Sequence, residues 1–224
     1  LRPYGVTGST AFPAEVARQL QKICGVRMLA SYGATEYTQN VAQPPRDGDP
    51  RYGSAGLRLP YTQIKIVELD GGGRIKRECA TDEIGLVVVK GPSITPGYVD
   101  DDYNAGILLP DGWFNSGDLG RLDADGFLWI TGRAKDVIIR GGANISASEV
   151  EGALEQHPAI RQAVVVGYPD DVYGERIGAF VVSDEPVDRQ WCVDWFAEYG
   201  LAKYKVPDRV VVLDEIPVLA TFQK

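Results

Sequence analysis

The chain has 224 residues, 44% of them apolar, and a formal net charge of −8. That is long enough for one sizeable core or two modest ones and too apolar for a disordered segment, while the acidic balance argues against a nucleic-acid surface, which needs a basic face. Three widely spaced cysteines, Cys24, Cys79 and Cys192, and a single histidine, His157, argue against a disulfide framework and a Cys/His zinc site.

The start, LRPYGVTGST, has neither a basic nor an apolar leader pattern, and no apolar run approaches the ~18 residues that cross a bilayer, so the expected location is the cytoplasm. Pro13 can open a helix whose apolar face carries Val16, Ala17, Leu20 and Ile23. A strand from Val26 to Ala30 then delivers Ser31-Tyr-Gly-Ala-Thr-Glu36 at its carboxyl end, the edge where ligands of α/β sheets gather. There Gly33 leaves room for close approach, Thr35 offers a hydroxyl to a phosphate and Glu36 is a hard oxygen ligand suited to Mg²⁺. Taken alone, Tyr32 reads equally well as a half-buried aromatic under a loop. Residues 43–60, rich in Pro and Gly, form a boundary loop. Strands follow at 63–69, closed by Asp70-Gly-Gly-Gly73, and at 84–90, closed by Gly91-Pro92, in a β-rich subdomain with nothing chemical standing out between 61 and 95.

The stretch DGWFNSGDLGRLDADGFLWITGRAKDVIIRGG, 111–142, is the most constrained in the chain. It offers Asp118 in a Gly-flanked turn, an Arg-x-Lys-Asp run at 133–136 and a Gly-Gly turn at 141–142, enough to hold a polyol and an anion from opposite sides. Singly, Asp118 is a turn former and Arg133 and Lys135 are solvated strand ends; the ordered run of motifs argues for more. From 137 a compact α+β pattern begins. Ser146-Ala-Ser-Glu149 has the capping-box form before Val150, Ala153 and Leu154, and His157-Pro158 ends that helix, with His157 a cap and not a general base. Strands at about 160–167 and 176–182, a helix at about 188–199 with Trp191, Trp195 and Phe196, and a strand at 209–213 complete it.

This succession resembles the adenylate-forming family of acyl-CoA synthetases, luciferases and peptide-synthetase adenylation domains, whose signature reads roughly D-G-W-x-x-T-G-D…G-R-x-K-D-x-I. The resemblance implies that Asp118 grips both ribose hydroxyls of ATP or the acyl-adenylate, that Arg133 reaches ribose and phosphate, and that Asp136 is a hinge. Ser116 stands where Thr is usual. Residues 32–36 are similar to the family's Y-G-x-T-E motif, which puts Tyr32 beside adenine, Thr35 at the α-phosphate and Glu36 on magnesium, with Gly33 among the nucleotide-binding residues. Thr7-Gly-Ser-Thr-Ala11 stands where the family has Gly-Gly-Ala on the other side of adenine, with Ser9 and Thr10 replacing the second Gly and the Ala. Gly97-Tyr98 matches a G-Y ahead of the D-G-W-F turn. Gly-Gly-Ala-Asn-Ile-Ser at 141–146, beginning with Gly141 and Gly142, matches the loop brought to the site for acyl transfer, with Ala143 for Glu and Ala147 for Pro. Glu149-Val-Glu151, Gly167-Tyr-Pro-Asp170, Gly174-Glu175 and Lys203-Tyr-Lys-Val-Pro207 match the same C-terminal domain. Lys224 stands in the place of the catalytic lysine, with Gln223 where Gly is usual and the interval from Pro217 one residue longer.

The expected fold is therefore an α+β multidomain fragment: the end of an α/β subdomain (1–55), a distorted β-barrel-like subdomain (56–132), a hinge (133–136) and a mobile α+β C-terminal domain (137–224). The resemblance implies a carboxylate–CoA ligase that uses ATP, Mg²⁺ and coenzyme A with a carboxylic acid substrate, this chain being its C-terminal portion and inactive alone. The rivals are a peptide-synthetase adenylation domain, disfavoured by Lys135-Asp136, and a non-catalytic nucleotide-binding or interaction module. A homodimer is among the states the sequence allows.

Overall fold

A computed structural model of the chain describes residues 4–8 and 14–217. The chain divides into two compact units, Leu1–Thr131 and Gly132–Lys224. Among the described residues no helix is long and apolar enough to cross a membrane.

In the first unit, β1 (Tyr4–Thr7) and β2 (Arg27–Ala30) pair in parallel, joined through helix α1 (Ala14–Cys24), as a parallel pair requires. Of the apolar residues expected on the inner face of α1, Ala17 is buried, whereas Val16 and Ile23 stand exposed. An antiparallel ribbon follows, β3 (Tyr32–Ala34), β4 (Gln39–Gln43) and β5 (Leu57–Arg58). The main sheet contains β6 (Gln63–Leu69), β7 (Ile75–Glu78), β8 (Gly85–Lys90), β9 (Leu108–Leu109), β10 (Trp113–Leu122) and β11 (Leu128–Arg133), ordered β11-β10-β8-β6-β7 with β9 alongside β10.

The continuous Val87-Val88-Val89 run in β8 reflects burial on both faces. Val87 and Val89 pack with Tyr37, Val41, Ala42, Ala55, Ile66, Phe114 and Leu128, and Val88 joins Val67, Leu109 and Trp113 on the other side. Residues 37–55 thus share a core with the main sheet. Strand β7 escapes sequence reading because its Lys76-Arg77-Glu78 has no apolar alternation. It is an edge strand covered by ion pairs, Lys65 with Glu78 at 2.8 Å and Arg77 with Glu68 at 2.9 Å, charges that also deter edge-to-edge pairing.

The turn between β10 and β11 is organised by Asp123. Its carboxylate accepts from the backbone N–H of Asp125 (3.0 Å) and Phe127 (2.9 Å), from Trp129 Nε1 (3.0 Å) and from Arg51 Nη1 (2.9 Å). Arg51 also stacks over the Phe127 ring at 4.1 Å.

In the second unit, β12 (Val137–Arg140) and β13 (Ala143–Ser146) form a hairpin, followed by α2 (Ala147–Glu155), β14 (Ile160–Asp170), β15 (Gly174–Ser183), α3 (Arg189–Tyr199) and β16 (Arg209–Val212). The strand order is β13-β12-β15-β14, with β16 parallel to β15. Val150, Ala153 and Leu154 of α2 and Cys192 and Phe196 of α3 close one core over Ile138, Ile145, Ile177 and Val181. Trp195 Nε1 ties α3 to α2 by donating to Ala153 O at 2.8 Å. Helix α3 is capped at its start by Asp188, which accepts from Trp191 N at 2.8 Å, and at its end by Gly200 at φ 86°.

The capping box expected at 146–149 does not form. Ser146 makes no side-chain cap bond, its hydroxyl lies 2.9 Å from that of Ser148, and Glu149 pairs with Lys205 instead. The cap of α2 is Gln156 and not the expected His157, whose ring lies edge-on to Trp191 and Trp195 while Nδ1 accepts from Ala159 N at 3.1 Å, beyond the helix.

Candidate functional site

The sequence of β10 creates an irregularity where it matters. Its register with β8 shifts between Asn115 and Leu119, and Gly117 sits at φ 73°, a conformation that favours glycine. Asn115 Oδ1 accepts from Gly117 N at 2.9 Å, and Ser116 Oγ accepts from Asp118 N at 3.0 Å while donating to Val87 O at 2.7 Å. Such a bulge re-aims the side chain it carries. The Ser116 hydroxyl is therefore used to shape the turn that presents Asp118.

Asp118 meets Tyr32 at the start of β3: the phenol donates to Asp118 Oδ2 at 2.7 Å. Burial pushes the Tyr32 phenol far up, with the neighbouring Tyr37 and Asp118 adding to it, so it remains a donor at any physiological pH. Tyr37 is buried edge-on against Phe114, with ring centroids 5.4 Å apart, and burial likewise raises its phenol.

Beyond Tyr32 the chain makes a single 3-10 turn, Thr35–Tyr37, closed by Thr38 in the left-handed region at φ 56°. Thr35 is exposed and Glu36 half-exposed. One oxygen of Glu36 accepts from Tyr98 Oη at 2.5 Å, and this bond pushes the Tyr98 phenol up. The strand beside it also requires glycine at 33: a Cβ there would lie 1.5 Å from the Gln39 carbonyl oxygen, so the residue lets β4 pass.

The second unit holds the remaining candidates. Arg133, Lys135 and Asp136 are exposed, the last two within a 3-10 turn, Ala134–Asp136. Gly141 and Gly142, at φ 57° and 82°, form the two-residue turn between β12 and β13, a geometry that suits paired glycines. The turn is anchored from behind. Gly141 N donates to Tyr173 O at 2.8 Å, Ile139 N to Glu175 Oε2 at 2.6 Å, and Arg140 donates to Tyr204 O and to Asp208 Oδ1, both at 2.7 Å. Ser9, Thr10 and Lys224 lie outside the described residues.

Residues 2–99 match the AMP-binding enzyme family, and residues 149–222 match the AMP-binding enzyme C-terminal domain. The chain belongs to the AMP-binding enzyme family. A marinolic acid–CoA ligase from Pseudoalteromonas sp. is 36% identical over 219 residues, 94% of this chain and 33% of that protein. A medium-chain fatty-acid–CoA ligase from Escherichia coli is 37% identical over 215 residues, 94% of this chain and 37% of that one. The solved structure of o-succinylbenzoate coenzyme A synthetase from Bacillus subtilis in complex with ATP and magnesium superposes with a TM-score of 0.85 at 34% identity, over 98% of this chain and 44% of that chain. The chain thus spans between 33% and 44% of the length of these relatives.

The chain places Tyr32, Gly33, Thr35, Glu36 and Asp118 in its first unit and Arg133, Asp136, Gly141 and Gly142 in its second. Among the described residues no three His, Cys, Asp or Glu side chains gather as a metal cluster. A lone carboxylate such as Glu36 fits Mg²⁺, which is commonly held by one or two carboxylates together with substrate phosphates and water. Sequence reasoning missed what Tyr98, Glu175 and Asp208 do. The first two stood inside quoted motifs without a role, and Asp208 carried no signal because its partner Arg140 is 68 positions away.

Proposed function

We propose that the chain is part of a cytoplasmic AMP-forming carboxylate–CoA ligase, and that its own residues bind adenosine, orient the α-phosphate and later admit the thiol. The observation that carries this reading is the Tyr32–Asp118 pair, which joins the 32–36 segment to the bulge in β10 and presents a fixed carboxylate. A carboxylate has about four lone-pair sites, so Asp118 can keep the phenol and still accept from two ribose hydroxyls. Thr35, exposed at the head of its turn, donates to the α-phosphate. Glu36 holds Mg²⁺, which when bound neutralises charge on the phosphates. Arg133 adds positive charge near ribose and phosphate, and Lys224 steadies the α-phosphate as the substrate carboxylate oxygen forms its bond to phosphorus and pyrophosphate leaves. Ser9 and Thr10 wall the base.

Movement about Asp136 then presents the Gly141-Gly142 turn, and the CoA sulfur attacks the acyl carbonyl while AMP departs. The strict Gly-Gly geometry and the support from Arg140, Glu175 and Asp208 favour a turn that moves as a preformed piece. Alone, the 224-residue chain binds without turnover.

The test is pyrophosphate exchange into ATP by the full-length protein. Asp118→Ala removes an acceptor shared by two hydroxyls, and hydrogen bonds to a charged group are worth about 1.5–3 kcal/mol, so exchange falls at least about tenfold. Unchanged exchange would reduce Asp118 to a turn residue and remove the basis of the reading.

A further inference from the structure

Gly97-Tyr98 takes no part in that scheme, yet the loop carrying it is fastened to the Thr35–Tyr37 turn at three points. Thr95 N donates to Glu36 O at 2.8 Å, Thr38 Oγ1 donates to Ser93 O at 2.9 Å, and Tyr98 Oη donates to Glu36 Oε1. The backbone of Tyr98 is itself clamped: its N–H donates to Asn104 Oδ1 at 2.7 Å and its carbonyl accepts from Asn104 Nδ2 at 3.1 Å. Its ring lies edge-on to Tyr103, with centroids 6.4 Å apart. Gly97 at φ 143° is also required, because a Cβ would come within 2.9 Å of Asn104 Oδ1 and 3.0 Å of Leu108 Cδ1. The loop is built to deliver one phenol to one carboxylate.

A glutamate on a half-exposed turn otherwise samples several rotamers, and ordering it costs free energy at the moment of binding. Carboxylates that ligate metals are commonly fixed by hydrogen bonds from behind, and losing such a partner weakens metal binding about 10- to 100-fold. The cost is felt most where protein ligands are few, and no cluster of three stands among the described residues. The phenol is a neutral donor that occupies one lone pair and leaves the negative charge in place.

We propose that Tyr98 is a positioning residue that orients the Glu36 carboxylate toward a divalent cation, an inference that rests on the ligase reading above. The test uses the full-length protein with a non-hydrolysable ATP analogue, Mn²⁺ affinity being read by electron paramagnetic resonance and AMP affinity, without metal, by calorimetry. Tyr98→Phe keeps the ring and removes only the donor. It is expected to weaken Mn²⁺ binding about tenfold and leave AMP affinity unchanged. Glu36→Gln serves as the reference and is expected to weaken Mn²⁺ binding at least as much. If Glu36→Gln weakens Mn²⁺ binding and Tyr98→Phe does not, the positioning role is overturned while the metal assignment stands. If Tyr98→Phe lowers AMP and Mn²⁺ affinity alike, Tyr98 merely supports the fold and the proposal also fails. If Glu36→Gln has no effect, the metal assignment falls and takes this inference with it.

Discussion

Tyr32 and Asp118 stand 86 positions apart in the chain, and a 2.7 Å hydrogen bond from the phenol to the carboxylate joins them. Because burial keeps Tyr32 protonated, the bond holds Asp118 in one orientation at all working pH values. Tyr32→Phe should raise the KM for ATP of the full-length protein about tenfold with little change in kcat, as expected when a charged acceptor loses one donor. Steady-state kinetics at varied ATP check this.

Asp123 is the corresponding structural node. Burial acts to raise its carboxyl, but the bonds from Trp129, Phe127, Arg51 and Asp125 outweigh it and hold the group below the usual carboxylate range. A depressed folded pKa contributes stability that is present above the unfolded value, near 3.9, and is lost as pH falls through the folded value. Asp123→Asn should therefore cost about 1.5–3 kcal/mol near neutral pH, and the gap between variant and parent should shrink on acidification below about pH 4. Urea unfolding across that range measures the gap.

Cys192 is buried in the second unit and burial pushes its thiol up to about 12, whereas Cys24 is exposed. Almost no thiolate exists at Cys192 near neutrality, so it should stay unmodified by iodoacetamide while Cys24 reacts. Mass spectrometry across a urea series should show Cys192 alkylated only as the second unit unfolds.

Asp136 ends a 3-10 turn, which bears on any attempt to lock it. Proline there fixes φ and also disfavours the helical conformation of Lys135. Asp136→Pro in the full-length protein should leave adenylate formation within about twofold and slow acyl transfer to CoA about tenfold or more. A melting curve run alongside separates this from damage to the turn; equal loss in both half-reactions would place the hinge elsewhere.

What could be read from the sequence follows from how local each signal is. Strand β6, helix α3 and the Gly141-Gly142 turn announce themselves through β-branched content closed by Asp70-Gly-Gly-Gly73, an amphipathic run with Trp191, Trp195 and Phe196, and paired glycines, all within a few positions. Strand β7 stayed invisible because an edge strand held by cross-strand charges has no apolar period. The capping box misled because Lys205, 56 residues on, takes Glu149. At the site, the segments 32–36 and 116–118 were legible as separate motifs. Their meeting was not, nor was the Gln39 carbonyl that dictates Gly33, since both depend on pairings between distant or bulged strands.

The parallel pairing of β16 with β15 has a consequence for synthesis. Gly178, Ala179, Phe180 and Val181 find their partners in Arg209–Val212, and roughly thirty residues separate the end of β15 from the end of β16. At about 5–20 residues per second the ribosome needs roughly 1.5–6 s to supply them. During that interval the nascent chain carries an apolar strand with one unpaired edge, the kind of surface that recruits neighbours. Among the described residues β16 is the last strand, so its arrival ends the exposure of that β15 edge, and slow codons between 184 and 208 would lengthen it.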